Sequence, residues 1–398
     1  MSDAPKITFL GKLIIFLFIA GCFYGAYYFF FQRNKTVTSS SNTSSSSSNS
    51  SGAGSSIQIG IAYGTEKKNW LEKAVQDFAA TDQGKGIQID LIPMGSLEGA
   101  QAIISGDKRI VVWSPASAIY KDIFVQDWQV KNGGNPIARE ESLALSPMVF
   151  VFWEERYQAF AAKYKEVSFD TISSALQEKG GWESIAQKPE WGLFKFGHTH
   201  PNQSNSGLVT LLLMAYGYHH KTAGLTLKDI LDVNFQDWMQ SLERGVSSLP
   251  NSTGNMMKEM ILKGPSSFDC VFVYESVAID YLKNAEGRWG DLHIVYPKYN
   301  MWNENPYYVI NAPWVSADQR KAAGAFLDFL YSENIQKQSL EHGFRPGNPS
   351  VPIKFQGSPF VQYQKFGLKI DVGTTCEPPK AEVINNLLAS WQRGQGSR

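Results

Sequence analysis

The sequence predicts an α/β fold of two sheets behind an N-terminal membrane anchor. Three features carry that expectation: an uncharged apolar run near the start, a Ser-rich tract after it, and a regular alternation of short apolar strands with helical stripes from Ile57 onward. The 398 residues suffice for two domains or one large two-lobed one. Hydrophobic content of 43%, with 11 Trp, 17 Tyr and 24 Phe, can fill a sizeable core. The 37 basic and 37 acidic residues balance and are scattered, so there is no electrostatic footprint for nucleic acid.

Residues 13–31 (LIIFLFIAGCFYGAYYFFF) carry no charge and are bounded by Lys12 and Arg33. At about 1.5 Å per residue this run matches a hydrocarbon core of about 30 Å. It contains Ile19-Ala20-Gly21-Cys22, which has the look of a lipobox with Cys22 as the lipidated residue. The residues after Cys22 stay apolar, which favours an uncleaved signal anchor over a lipoprotein. Basic residues flank both sides, so charge alone does not orient it. The following tract, residues 36–56, is almost wholly Ser, Thr, Asn and Gly and reads as a flexible tether of roughly 25 Å. A tethered domain on a single anchor points to an extracytoplasmic arrangement. Cys270 and Cys376 remain as a possible pair, and two thiols fix no redox compartment.

From residue 57 the elements follow in order. Residues 57–62 alternate as a strand, Tyr63-Gly64-Thr65 is a turn with an N-cap, and residues 68–80 carry a helical stripe at Trp70, Leu71, Ala74, Val75 and Phe78. Glu66 beside Lys67 and Lys68 reads as a solvated first turn. A second strand over 87–92 leads into Met94-Gly95-Ser96 and a helix, and a third over 109–113 ends in Ser114-Pro115-Ala116-Ser117. Three strand ends thus run into glycine or small hydroxyl residues, where open α/β sheets bind ligands. Residues 146–153 (SPMVFVFW) read as a central strand buried on both faces.

The densest signal is FGHTHPNQSNSGLVTLLLMAYGY, residues 196–218. Residues 192–196 read as a short strand and Gly207 as the opening of a strongly apolar helix. Between them lie Ser204, Asn205 and Ser206, three N-cap residue types where one cap needs one. A helix N-terminus presents free N–H groups and partial positive charge, suited to an anion or a polar small molecule. His198 and His200 flank Thr199, but two His on a loop without a third ligand are more readily hydrogen-bonded loop residues than a metal site. A loop at 250–254, a helix at 255–262 and a buried strand at 268–274 ending in Tyr274-Glu275-Ser276 follow. Short strands at 292–296 and 307–310 and helices at 317–332 and 335–342 complete the pattern. No nucleophile elbow, zinc-protease helix or phosphate loop is present.

Residues 96–117, 201–208, 251–278 and 325–345 together resemble, in order and spacing, the molybdate-type periplasmic binding proteins of ABC importers. The resemblance covers nearly all of 57–352. It implies a two-lobed type II periplasmic-binding-protein fold with a ligand cleft between lobes, here preceded by one transmembrane helix. Hydropathy and composition assign residues 1–33 as cytoplasmic stub and anchor and 34–56 as linker, and the resemblance implies 57–148 as the first part of lobe I and 149–295 as lobe II. Residues 296–398 return to lobe I and end in the C-terminal helices, with crossovers near 146–150 and 295–297. In that family strand-to-helix elements converge on one oxyanion. Carried over, they fall on Gly64 and Thr65, Gly95 and Ser96, Asn205 and Ser206, Gly254 and Asn255, and Tyr274, with Ser114 and Ser117 adding hydroxyls. Trp70, Trp113 and Glu275 are further candidates near the cleft, and such aromatic and acidic neighbours suit a bulkier or less anionic ligand than molybdate.

The resemblance implies a membrane-tethered, extracytoplasmic receptor on a bacterial cell membrane. It would capture a small polar or anionic solute for an ABC permease, with no catalysis, cofactor or metal. The alternative is a sensory or interaction module of the same fold that contacts another envelope protein. A hydrolase using the Ser-rich loops would need distant residues assembled by chance.

Overall fold

A computed structural model describes residues 56–285 and 288–395. The expected membrane anchor and nearly all of the Ser-rich linker lie outside the described residues. The chain divides into two units, Met1–Ala53 and Gly54–Arg398, and all the described residues belong to the second. Among them no helix is long and apolar enough to cross a membrane.

The chain opens with β1 (Ile57–Tyr63), α1 (Lys68–Ala79), β2 (Ile87–Pro93), α2 (Ser96–Ile104), β3 (Ile110–Ser114) and α3 (Lys121–Asn132). After β4 (Ile137–Ser142) and β5 (Ala144–Leu145) it enters the second sheet with β6 (Met148–Trp153), followed by α4 (Glu154–Tyr164), α5 (Phe169–Gln177) and α6 (Trp182–Ala186). There follow β7 (Phe196–Gly197), α7 (Asn205–Tyr218), α8 (Leu227–Ile230), α9 (Val233–Gly245) and α10 (Thr253–Lys263). Next come β8 (Cys270–Tyr274), α11 (Glu275–Ala285), β9 (Leu292–Val295), β10 (Tyr299–Asn300) and β11 (Pro306–Ile310). The chain closes with α12 (Ala317–Leu330), α13 (Glu333–Glu341), β12 (Arg345–Pro346), α14 (Pro359–Gln362), β13 (Thr374–Thr375) and α15 (Ala381–Gln395).

Two sheets organise these elements. The first has the order β2-β1-β3-β11-β4, with β1 parallel to β2 and β3, and β11 antiparallel to both its neighbours. The second has the order β7-β8-β6-β9. Strand β6 is buried at all six positions, as its unbroken apolar run requires. Helix α7 is buried from Asn205 through Tyr216, so its apolar character all round marks a central helix rather than a surface one. Each large apolar side chain so buried contributes about 1.5–3 kcal/mol.

Two segments cross between the sheets. Residues 144–148 and 300–305 run antiparallel, with Ser146 and Asn303 paired through both backbone N–H groups at 3.0 Å. Three buried asparagines lace them. Asn300 Nδ2 donates to Met148 O (2.8 Å), Asn303 Nδ2 to Ser146 O (3.0 Å) and Asn305 Nδ2 to Ala144 O (3.2 Å). Asn305 holds φ 45°, a left-handed geometry that Asn tolerates better than most residues. Arg345 binds the buried Glu275 carboxylate through Nε and Nη2 at 2.7 and 2.8 Å.

Several expectations change. Residues 192–195 are no strand: Gly192 has φ 71° and accepts from Trp182 N–H, while Lys195 N–H goes to the Asp269 side chain at 2.8 Å rather than to a ladder. Helix α7 begins at Asn205 rather than Gly207. The edge strand β4 carries no alternation, being exposed at every residue after Ile137. Cys270 and Cys376 are both free and buried. The final helix α15 packs on α7, α8 and α9 of the second lobe. Its buried face includes Val383, Ile384, Leu387 and Trp391, and Trp391 Nε1 donates to Glu243 Oε2 at 2.8 Å.

Candidate functional site

The first wall starts where β1 ends. Gly64 N–H donates to Ser114 O at 3.1 Å, tying the turn to β3. The Glu66 carboxylate folds back over Gly64: a Cβ there would lie 2.3 and 2.5 Å from its two oxygens, so only glycine leaves it room. Lys67 is fully buried and its Nζ spends all three protons, on Glu66 Oε1 (2.6 Å), Pro115 O (3.1 Å) and Asn305 Oδ1 (3.1 Å). Burial lowers the Lys67 pKa, and Glu66 opposes that shift. The first turn is therefore not a solvated one. The Glu66 side chain is 8% exposed, and Lys67 joins it to Asn305 in the crossing segment.

The next two strand ends are welded together. Gly95 is the N-cap of α2, and its N–H is met by Glu98 Oε2 at 3.1 Å. Ser96 Oγ accepts from Ala116 N–H (3.1 Å) and Ser96 O from Trp113 Nε1 (3.2 Å). Trp113 thus stands behind the site. Trp70 packs against Phe344, and Glu275 is taken by Arg345.

The second wall is neutral. Ser204 caps α7 without a side-chain bond, so the first N–H groups of that helix have no side-chain acceptor. Asn303 Nδ2 is committed to Ser146 O, so Asn303 Oδ1 must accept; Asn205 Nδ2 supplies that bond at 2.8 Å and also donates to Tyr274 Oη at 3.0 Å. This orients the Asn205 amide and leaves its Oδ1 buried without a partner. Ser206 Oγ sits behind the wall as a hub, 2.6 Å from Thr199 Oγ1, 2.6 Å from Thr253 Oγ1 and 3.2 Å from Ser204 Oγ. Burial, with Glu66 as the next contributor, pushes the Tyr274 hydroxyl pKa well up, so it remains a proton donor.

These walls line an open pocket of about 210 Å³. Gly64, Thr65, Gly95, Ser96, Asn205 and Tyr274 line it together with Glu66, Glu98, Ala116, Ser204, Ser252 and Thr253. The lobes touch across its mouth: Thr65 Oγ1 lies 3.2 Å from Ser252 Oγ, and Asn69 Nδ2 donates to Asp280 Oδ2 at 2.8 Å. A Cβ on Gly95 would meet Gln203 O at 2.8 Å. Gly254 and Asn255 line an adjoining outer groove of about 560 Å³.

Ser114 and Ser117 do not reach the cavity. Ser114 is the last residue of β3, its Oγ buried without a partner, and Ser117 caps the following turn while bonding Glu304. The backbone of that turn presents Ala116 instead. Glu98, three residues after Gly95, carried a capping signal in the sequence; Glu66 carried none. His198 faces Glu243 Oε1 and Thr199 O at 2.8 and 2.9 Å, and among the described residues no group suited to a metal is present.

Residues 59–345, most of the chain, match the profile described as bacterial extracellular solute-binding protein. The chain belongs to that family. The solute-binding protein has the fold of the sulfate-binding protein SubI from Mycobacterium tuberculosis H37Rv, at 17% identity and TM-score 0.54, with 86% of this chain and 99% of that one covered. A periplasmic thiamin-binding protein is similar at 13% identity and TM-score 0.59, covering 86% and 98%. Iron-bound HitA from Pseudomonas aeruginosa is similar at 14% and 0.54, covering 85% and 99%. A comparison with curated protein sequences gives no match. The family and these first two neighbours are described as binding proteins.

Proposed function

We propose that this solute-binding protein captures a small polar solute in the cavity between its lobes and hands it to an ABC permease while tethered to the membrane by residues 13–31. The observation that carries the reading is the convergence of the N-termini of α2, α7 and α10 on one pocket. Gly64, Thr65, Gly95, Ser96, Asn205 and Tyr274 are the contacts, with Ser206 positioning Ser204 and Thr253 from behind. Helix-end N–H groups and the Tyr274 hydroxyl supply donors in a site that loses water on closure. A permanent tether would raise the receptor's effective concentration at its importer.

A thermal-shift screen of the full-length protein against oxyanions, amino acids, organic acids and sugars tests this. A solute at about 100 times its Kd stabilises the native state by about 2.7 kcal/mol. A melting point unmoved by every class would sink the capture reading. Recovery of the protein from the soluble fraction of washed cells would sink the tether.

A further inference from the structure

Resting on that reading of the pocket, we infer that the C-terminal helix α15 belongs to the binding machinery: Trp391, Glu243 and His198 position the turn that carries the neutral wall. Helix α15 lies beyond residue 345, where the match to the family profile ends. It meets the 198–206 turn in three ways. Trp391 Nε1 donates to Glu243 Oε2 at 2.8 Å, and Glu243 Oε1 lies 2.8 Å from His198 Nε2. The His200 ring packs edge-on against Trp391, with centroids 4.9 Å apart. Asn202 Nδ2 donates to Gln392 Oε1 at 3.4 Å. His198, Glu243 and Trp391 are all buried, so water does not compete for the relay they form.

The relay ends on groups that line the pocket. His198 Nδ1 stands 2.9 Å from Thr199 O; a carbonyl only accepts, so Nδ1 carries a proton and the ring is held in one orientation. Thr199 Oγ1 in turn meets Ser206 Oγ, the hub that reaches Ser204 and Thr253 of the lining. His200 N–H donates to Pro250 O at 2.9 Å, while His200 O accepts from Ser204 N–H at 2.9 Å. Both second-lobe segments that line the pocket, 203–205 and 251–253, therefore hang on residues 198–200. The fit leaves no slack: a Cβ on Gly207 would lie 2.2 Å from Thr199 O, so a shift of that backbone displaces the start of α7. His198, Glu243 and Trp391 do not line the pocket themselves and are positioning residues.

Hydrogen exchange and calorimetric titration of the full-length protein test this, with sulfate, glycine, succinate and glucose as probes. Trp391→Phe keeps a ring against His200 and removes only the Nε1–H donor. Amides of residues 203–206 should then exchange about tenfold faster, and the tightest of these probes should bind about tenfold more weakly, as for one lost buried hydrogen bond. Glu243→Gln keeps an acceptor for Trp391 and offers a donor to His198 Nε2, so both readouts should stay within about twofold of wild type. Phe160→Leu is the control: it loosens the second lobe at Phe152 and Phe194, should lower the melting point and should move neither readout. Wild-type exchange and affinity in Trp391→Phe, or the same losses in Phe160→Leu, overturn the positioning role while leaving solute capture intact. Binding of none of the probes counts against solute capture, and the exchange comparison then decides the positioning role alone.

Discussion

The two walls of the cavity are built from the same parts, strand ends and helix starts, yet they differ in kind. The first-lobe wall is ionic: Glu66, Glu98 and, behind them, Lys67 anchored to the hinge through Asn305. The second-lobe wall is neutral, a set of hydroxyls around Ser206 and the Asn205–Tyr274 pair. The contrast teaches a division of labour. The neutral wall is knit by its own hydrogen bonds, with Asn205 Oδ1 left over, whereas the ionic wall presents carboxylates and is tied through Lys67 to Asn305.

Substitutions that break one wall at a time sharpen this contrast. Lys67→Met leaves the Glu66 carboxylate buried without its cation, so urea denaturation should show a loss of about 3–5 kcal/mol, the usual cost of breaking a buried pair. A loss under about 1 kcal/mol would mean the ionic wall is solvated. Ser206→Ala orphans Thr199 and Thr253 and should cost about 1–3 kcal/mol in the same assay. It should weaken binding only through the displaced Ser204. Gly64→Ala should displace Glu66 and lower affinity in titration at least tenfold, with a smaller stability loss than Lys67→Met; unchanged affinity would remove Glu66 from the site. Ser114→Ala should be neutral or stabilising by up to about 1 kcal/mol, because it deletes a hydroxyl that has no partner, and should leave binding unchanged.

Much of the frame was legible along the chain. The apolar runs of β1, β3, β6 and β8 and the stripe of α1 mark themselves by period, because burial on one or both faces imposes it locally. Turn chemistry marked Gly64, Gly95 and the Ser204–Ser206 run, since helix starts select small hydroxyl and amide residues wherever they occur. The same logic could not separate a turn that meets the solute from one that does not. Ser114 and Ser117 have the right residue types and face away, while Ala116 between them lines the cavity. The edge strand β4 was missed because an exposed edge needs no alternation.

The sequence by itself determined the α/β alternation and the residue types at the helix starts, because periodicity and capping are properties of a few neighbouring residues. Only the tertiary structure decided that Glu66 is half-buried against Lys67 rather than solvated, that Asn205 is oriented by Asn303 and left with a vacant acceptor, and that α15 packs on α7, α8 and α9. Each depends on which distant group arrives: Asn305 and Pro115 at Lys67, Asn303 at Asn205, Glu243 at Trp391. Such meetings are set by how the two lobes and the chain's return pack together, and no local pattern encodes them.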